Sequence, residues 1–286
     1  MLSTDPARAW LAEQIRSRVI GDQADEKTEA IMAAPGPRWF APDSPVRLVH
    51  ADASMFVGGL RALLLQSLHP LAMAGVAQHS DYRHDPWGRL QRTAEFVAAT
   101  SFGPIPVAEQ AVAVVHRVHE RVVGTASDGR PYAANDPHLL RWVHIAEIDS
   151  FLAAYQRYGR RPLTPAEADR YVHDVGLVAR KLGVNDPPRS VADLRGELRD
   201  FRPELASSRE ARDAARFLLL EPPLPLAARG PYLLLAGAAV ALLPAWTRWP
   251  LRLPLLPVSE AVVLRPAGQM VTQLIRWSMG PTEPAA

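Results

Sequence analysis

A histidine in a valine-rich stretch is a candidate metal ligand in this sequence. Val112, Val115, His119 and Val122 stand at positions i, i+3, i+7 and i+10, which share one face of a helix. A neutral imidazole among apolar side chains can ligate a metal through a ring nitrogen. Alternatively, it is a core histidine that hydrogen-bonds a neighbouring group. His116 falls on an adjacent face and is expected to be more solvated than His119.

Two further histidines belong to an apolar run over residues 63–79. His69 directly precedes Pro70, and His79 stands at the end of the run. A proline removes one backbone hydrogen bond from a helix and kinks it. We therefore consider two roles for His69: its ring hydrogen-bonds the carbonyl that the kink frees, or it lines a pocket.

A third group combines two guanidiniums with a hydroxyl. Arg89 and Thr93 are i, i+4 neighbours, Phe96 continues that face, and Arg92 lies one residue off it. Such a set suits an anionic ligand, for example the propionate of a cofactor. The alternative is a solvated helix face with arginine stems lying on apolar neighbours.

His144 and Glu147 fall on the apolar side of another predicted helix, together with Val143, Ile148 and Phe151. This pair could serve as a general acid and base. It could also be a hydrogen-bonded polar pair within the core.

The composition removes several classes of chemistry. The chain has 286 residues, 48% of them hydrophobic and 22% charged, with a formal net charge of +2 and no cysteine. The lack of cysteine excludes disulfides, cysteine-ligated zinc, iron–sulfur clusters, thiol catalysis and covalently attached haem. The sequence contains no dinucleotide fingerprint, phosphate-binding loop, His-Glu-x-x-His motif or serine nucleophile elbow. It has no basic tail or stripe, so we expect no nucleic-acid partner.

The elements that must position these residues are predicted to be helices. Strand-forming runs are nearly absent, so the sequence predicts an all-α fold of about ten helices in a single domain over residues 1–286. The predicted helices cover 7–20, 57–77, 86–100, 106–123, 137–158, 165–182, 232–243 and 259–278, with shorter ones capped by Ser190 and Ser207. Asn135 and Asp136 are both candidate N-caps for the helix over 137–158, and Thr164 is the predicted N-cap of the helix over 165–182. The tails 1–6 and 281–286 are expected to be loose.

The apolar segment 232–243 bears on membrane association. It is bounded by Pro231 and Pro244 and is shorter than the roughly 20 residues that a spanning helix needs. A core helix therefore explains it better than a membrane span. The N-terminal stretch shows no apolar segment of a secretory signal, so we expect a cytoplasmic protein.

Taken together, the motifs resemble a known family. They are Leu65-Gln-x-x-His69-Pro70, Gly75-Val-x-x-His79-Ser, Pro86-x-Gly-Arg89-Leu-x-Arg92-Thr93, His119-x-x-Val122-x-Gly124 and Tyr132-x-Ala-Asn-Asp136-Pro. In this order they resemble the catalytic-domain family of the oxygenase MpaB and the bacterial rubber oxygenase (latex clearing protein). The resemblance extends over about residues 40–255.

The resemblance implies an all-α, partly globin-like fold. It also implies a noncovalent haem b that cleaves carbon–carbon double bonds with O2, as in the rubber oxygenases. According to this resemblance, His119 matches the proximal iron ligand, and Arg89, Arg92 and Thr93 match the motif near the distal side.

The remaining candidates and two departures follow from the same resemblance. His69, His79 and His144 become further cofactor-pocket candidates. Arg92 stands where the rubber enzymes have a lysine that can occupy the distal iron position. Because a guanidinium stays protonated and ligates iron poorly, we expect an open distal position here. Val123 replaces an arginine of the rubber enzymes.

The leading hypothesis is therefore a haem b-dependent oxygenase of a hydrophobic, isoprenoid-like small molecule. The alternative is a non-enzymatic helical module that binds a lipid or isoprenoid in an apolar cavity. A different metal at the same histidines is a third possibility. The sequence does not indicate an oligomeric state.

Overall fold

The computed structural model describes residues 6–19, 21, 26 and 31–280, and most of these residues are helical. The predicted all-α class is confirmed, with eleven helices of seven or more residues in the described part. The helices are α1 (Pro6–Val19), α2 (Pro45–His50), α3 (Met55–Gln66), α4 (Pro70–His79), α5 (Pro86–Phe102), α6 (Ile105–His119), α7 (Pro137–Tyr158), α8 (Pro165–Leu182), α9 (Val191–Asp200), α10 (Arg209–Leu220), α11 (Leu226–Leu242), α12 (Ala245–Arg248) and α13 (Arg265–Met279). The partly globin-like arrangement stays a prediction, and the predicted loose tails fall almost entirely outside the described residues.

Local capping chemistry sets several helix starts. The Asp136 side chain accepts a hydrogen bond from the His138 backbone N–H at the start of α7. Thr164 and Glu167 form the predicted capping box at the start of α8. The helix predicted to begin after Ser207 is instead capped by Ser208, whose hydroxyl accepts from the Ala211 N–H. Serine at either position would have suited the sequence pattern, so local chemistry alone does not choose between them.

The apolar helix predicted over 57–77 is two helices. α3 ends at Gln66, α4 begins at Pro70, and their axes differ by 106°. Pro70 lacks the N–H that a continuous helix would use, which explains the break. In the described part of the chain, no single helix has the length and apolarity to cross a membrane, although the bent pair α3–α4 together meets both measures.

The helix predicted over 106–123 ends at His119, and a small hairpin follows it. Strands β1 (Val123–Thr125) and β2 (Pro131–Ala133) pair antiparallel, with Gly124 opposite Tyr132. The Asp128-Gly129 sequence supplies the turn, where Gly129 has a φ of +85°. A Cβ at Gly124 would stand 2.6 Å from the Tyr132 hydroxyl, so the tyrosine ring needs a glycine opposite it. The strands are too short for their alternation to stand out in sequence.

The core forms where α3 crosses α7. Gly58 lets the helices approach closely, because a Cβ there would stand 2.9 Å from Cδ1 and 3.2 Å from Cα of Phe151. The buried Arg61 lies on the same helix. Its guanidinium donates to the Asp149 carboxylate at 2.7 Å and to the Leu242 carbonyl at 3.0 Å. Arg61 thus links α3 to α7 and to the end of α11.

The C-terminal helices pack back onto this core. α11 contacts α3, and α13 contacts α11 and α1. The apolar run 232–243 lies mostly within α11, which begins earlier than predicted and includes Pro231. The final helix α13 follows a π-helical turn over Glu260–Leu264. Arg248 and Glu260, both buried, form a bidentate ion pair that holds this turn against the end of α12.

We expect Gly58→Ala to lower the free energy of unfolding by about 1–3 kcal/mol, the usual cost of overpacking. The added Cβ would press on both the ring and the backbone of Phe151 in α7. Urea denaturation followed by circular dichroism measures the change.

Gly59→Ala is the matched control on the same helix. A Cβ at position 59 meets no atom within 4 Å, so this substitution should raise the free energy of unfolding by up to about 1 kcal/mol through helix propensity. Equal stabilities of the two variants would contradict the close crossing of α3 and α7.

Candidate functional site

A largely apolar cavity lies between α2, α5, α6, α7 and α8. It encloses about 90 Å³, which is room for about three water molecules. Its walls are mainly valine, leucine, isoleucine and phenylalanine side chains. The polar residues that line it are His50, Thr100, Ser101, His119, His144 and Glu147. A few polar groups on an apolar wall are typical of a ligand site.

His119 is the last residue of α6 and lines this cavity. The side chain is half-buried rather than fully enclosed, and within the described residues no group hydrogen-bonds its ring. Burial lowers the pKa of His119, and the nearby His116 lowers it further. His116 itself faces the Lys181 carbonyl at 2.9 Å from its Nε2. His119 therefore favours the neutral imidazole, and it lines the cavity.

His144 and Glu147 line the same cavity one helical turn apart on α7. Burial lowers the pKa of His144 to about 3, aided by Arg141 and Arg180, and raises the pKa of Glu147 to about 7. No hydrogen bond joins the two side chains, and Nε2 of His144 is buried with no partner among the described residues. The interpretation as a hydrogen-bonded core pair is therefore wrong. Each residue instead lines the cavity separately.

His50 also lines the cavity, although it is not among the residues predicted from the sequence. Its Nδ1 lies 2.7 Å from the Ser101 hydroxyl and its Nε2 lies 3.2 Å from the Tyr171 hydroxyl. Burial lowers the pKa of His50 to about 4. Val46 and His50 both line the cavity. Their i, i+4 spacing, which places them on one helix face, is the sequence signal that could have identified His50. The ring joins α2 to α5 and α8.

Arg89, Arg92 and Thr93 lie on α5 outside the cavity lining. The Arg89 guanidinium donates to the Ser80 hydroxyl at 2.6 Å, and the exposed Arg92 lies 3.3 Å from the Asp85 carboxylate. The Thr93 hydroxyl donates to the Arg89 carbonyl at 3.0 Å. Arg89, Thr93 and Val97 follow one another at i, i+4 spacing, and Val97 lines the cavity. The α5 face thus runs from these polar residues to the cavity wall.

The other two candidate histidines lie away from the cavity. His79 is exposed, and its Nε2 stands 3.1 Å from the Val123 carbonyl, where it fastens β1 to the end of α4. His69 is fully buried and neither ring nitrogen has a hydrogen-bond partner among the described residues. The interpretation that His69 bonds the carbonyl freed by Pro70 is therefore wrong. Of the four histidines, the structure brings together His119 and His144.

We expect the raised pKa of Glu147 to make stability fall as pH rises. Between about pH 4.5 and pH 7 the folded carboxyl keeps a proton that the unfolded chain has released, so the free energy of unfolding decreases with pH in that range. Glu147→Gln removes this contribution. The stability of wild type relative to the variant should drop by up to about 3 kcal/mol from pH 4.5 to pH 7.5.

Urea titrations of both proteins at several pH values measure the difference. Glu120→Gln, at an exposed carboxyl just beyond α6, is the matched control for replacing a carboxyl by an amide. A difference for Glu147→Gln that changes with pH no more than the difference for Glu120→Gln would contradict the raised pKa of Glu147.

Comparison with known proteins bears on what this site does. No curated protein and no solved structure matches the chain. Residues 47–277 match the family model described as ER-bound oxygenase mpaB/B′/rubber oxygenase, catalytic domain. The match covers most of the chain and every cavity-lining residue except Phe40 and Val46. The chain therefore belongs to the mpaB/rubber oxygenase catalytic-domain family, and it is an enzyme of the oxygenase class.

Proposed function

We propose that this protein is a haem b-dependent oxygenase that uses O2 to oxidise a hydrophobic, isoprenoid-like small molecule. Membership of the oxygenase family supports the reaction class. The observation that carries the haem assignment is that His119, whose pKa is lowered by burial and whose ring has no protein hydrogen-bond partner among the described residues, lines an apolar cavity. A noncovalent haem needs one such axial ligand and an apolar slot between helices.

The donor chemistry at the cavity fits a haem. His119 offers a free ring nitrogen, and the cavity wall beside it is apolar. The cavity is smaller than an ordinary ligand pocket. It encloses about 90 Å³, whereas ordinary ligand pockets enclose about 300–1,000 Å³. A macrocycle would therefore enter only if side chains that line the cavity move apart.

In this proposal His119 would hold the iron, and the bound haem would supply the activation of O2. Arg89 and Arg92 would pair with the propionates, since guanidiniums bind carboxylates in a bidentate geometry. The Thr93 hydroxyl donates to the Arg89 carbonyl, so at the same face it would offer its oxygen as an acceptor. A guanidinium offers no acceptor atom for a metal, so Arg92 would not serve as an iron ligand.

Residues on α7 would control protons within the cavity. With a pKa of about 7, Glu147 is present in both protonation states near neutral pH, so its carboxyl can hold or release a proton there. With a pKa of about 3, His144 stays neutral and its Nε2 can accept a hydrogen bond. The surrounding apolar side chains exclude water and favour a hydrophobic substrate. The cytoplasmic location expected from the sequence stays a prediction.

The protein purified from cells supplied with a haem precursor should show a Soret absorption band and about one iron per chain. His119→Ala should reduce the haem-to-protein ratio by at least about tenfold. Mutating a residue that only supports a metal ligand already weakens metal binding by about 10–100-fold, so removing the ligand itself should have at least that effect. The ratio is measured by absorbance together with iron analysis.

His116→Ala is the matched control, because His116 lies on the same helix but bonds the Lys181 carbonyl instead of facing the cavity. It should keep its haem. A colourless, iron-free wild type, or a His119→Ala variant that binds haem as well as wild type, would overturn the proposal.

A further inference from the structure

Three residues from distant parts of the chain meet away from the cavity. The Nε2 atom of His138 lies 2.8 Å and 3.0 Å from the two carboxylate oxygens of Glu204. The Nε2 atom of His69 lies 3.6 Å from the nearer of these oxygens. One ligand atom from each residue falls within 4.8 Å of the other two. None of the three residues lines the cavity of His119.

The backbone around each residue holds this arrangement in place. His69 is extended, with ψ of 114°, at the bend between α3 and α4. The N–H of Ala206 donates to the Leu68 carbonyl at 2.9 Å, which keeps the segment that carries Glu204 beside His69. His138 sits in the first turn of α7, where its backbone N–H is capped by Asp136. The site thus rests on three separately fixed backbone segments.

His69 is the member that most needs a ligand. Its side chain is 1% exposed, and both ring nitrogens lack a hydrogen-bond partner among the described residues. At 3.6 Å the Glu204 oxygen is beyond a good hydrogen bond. A buried polar group left without a partner costs about 1–3 kcal/mol. An ion bound to Nε2 of His69 would remove this free-energy cost. His138 and Glu204, by contrast, already hydrogen-bond each other.

The distances suit an ion of a particular size. Zinc and similar ions stand about 2.0–2.2 Å from histidine nitrogen and carboxylate oxygen, so two ligands of one ion lie roughly 3–3.5 Å apart. The observed separations of 2.8 Å and 3.6 Å from Glu204 bracket this value.

Aromatic rings surround the imidazoles. Phe201 stacks on the His138 ring at 4.6 Å, and Trp142 lies 6.3 Å from the His69 ring. An apolar shell of this kind limits solvent access to a metal site. Glu204 remains 40% exposed and His138 51% exposed, so an ion can reach the site from solvent.

We propose that His69, His138 and Glu204 form a binding site for a divalent first-row transition metal. Two imidazoles and one carboxylate are the protein ligands of catalytic zinc sites and of non-haem iron(II) centres, both of which keep positions open for water or substrate. The site is independent of the haem proposed at His119, because the two share no residue.

The test uses the full chain, freed of metal with a chelator and titrated with Zn²⁺ by calorimetry. Wild type should bind one Zn²⁺ per chain, and Co²⁺ added in its place should give visible absorption bands of a nitrogen- and oxygen-ligated ion. His138→Gln and Glu204→Gln should each weaken Zn²⁺ binding by about tenfold or more. Both positions are partly exposed, so these variants should fold, which circular dichroism checks.

His173→Gln is the matched control, because His173 is an exposed histidine with its Nδ1 3.0 Å from the Asp174 carboxylate. It should bind Zn²⁺ as wild type does. Fe²⁺, titrated without oxygen, shows whether the site also takes that ion. A wild type that binds none of the three ions, or a His138→Gln variant that binds Zn²⁺ as tightly as wild type, would overturn the proposal.

The same samples separate this site from the haem. His119→Ala should keep full Zn²⁺ affinity, and His138→Gln should keep its haem content. A simultaneous loss of both in either variant would contradict two independent sites.

Discussion

Helix α7 runs through the core with buried side chains along its whole length, from Leu139 to Tyr158. Burial of this single helix is the constraint on which both candidate sites depend. Its first turn carries His138, and its next two turns carry His144 and Glu147 on the cavity wall. Because α3 packs against it through Gly58, and α8 covers another side, the positions of these polar groups are fixed by close-packed neighbours.

Two buried arginines of this chain have charged partners, whereas two buried histidines have ring nitrogens without partners. The guanidiniums of Arg61 and Arg248 lie against carboxylates, as buried charges require. By contrast, His69 and His144 are buried with ring nitrogens that no described residue satisfies. Polar groups in protein interiors are usually paired. At His69 and His144 a ligand therefore has a physical reason to bind.

Local chemistry in the sequence predicts the helical class and the bounds of α7 and α8, because caps such as Asp136 and Thr164 act within one turn. Periodicity also places His144 and Glu147 on one face. Pro70 predicts a bend from the sequence, but the 106° angle between α3 and α4 depends on what these two helices pack against. His138 and Glu204 are 66 residues apart in sequence. Nothing in their neighbourhoods indicates that they meet, so only the folded chain reveals that cluster.

The ion pair between Arg248 and Glu260 limits how far the chain can be shortened. Every residue of both candidate sites lies before Arg248, so a fragment ending at the loop after α12 would contain all of their side chains. Such a fragment would leave the guanidinium of Arg248 in the interior with no countercharge, a defect that costs several kcal/mol. The π-helical turn that carries Glu260 is therefore an integral part of the folded unit, even though it supplies no residue of either candidate site.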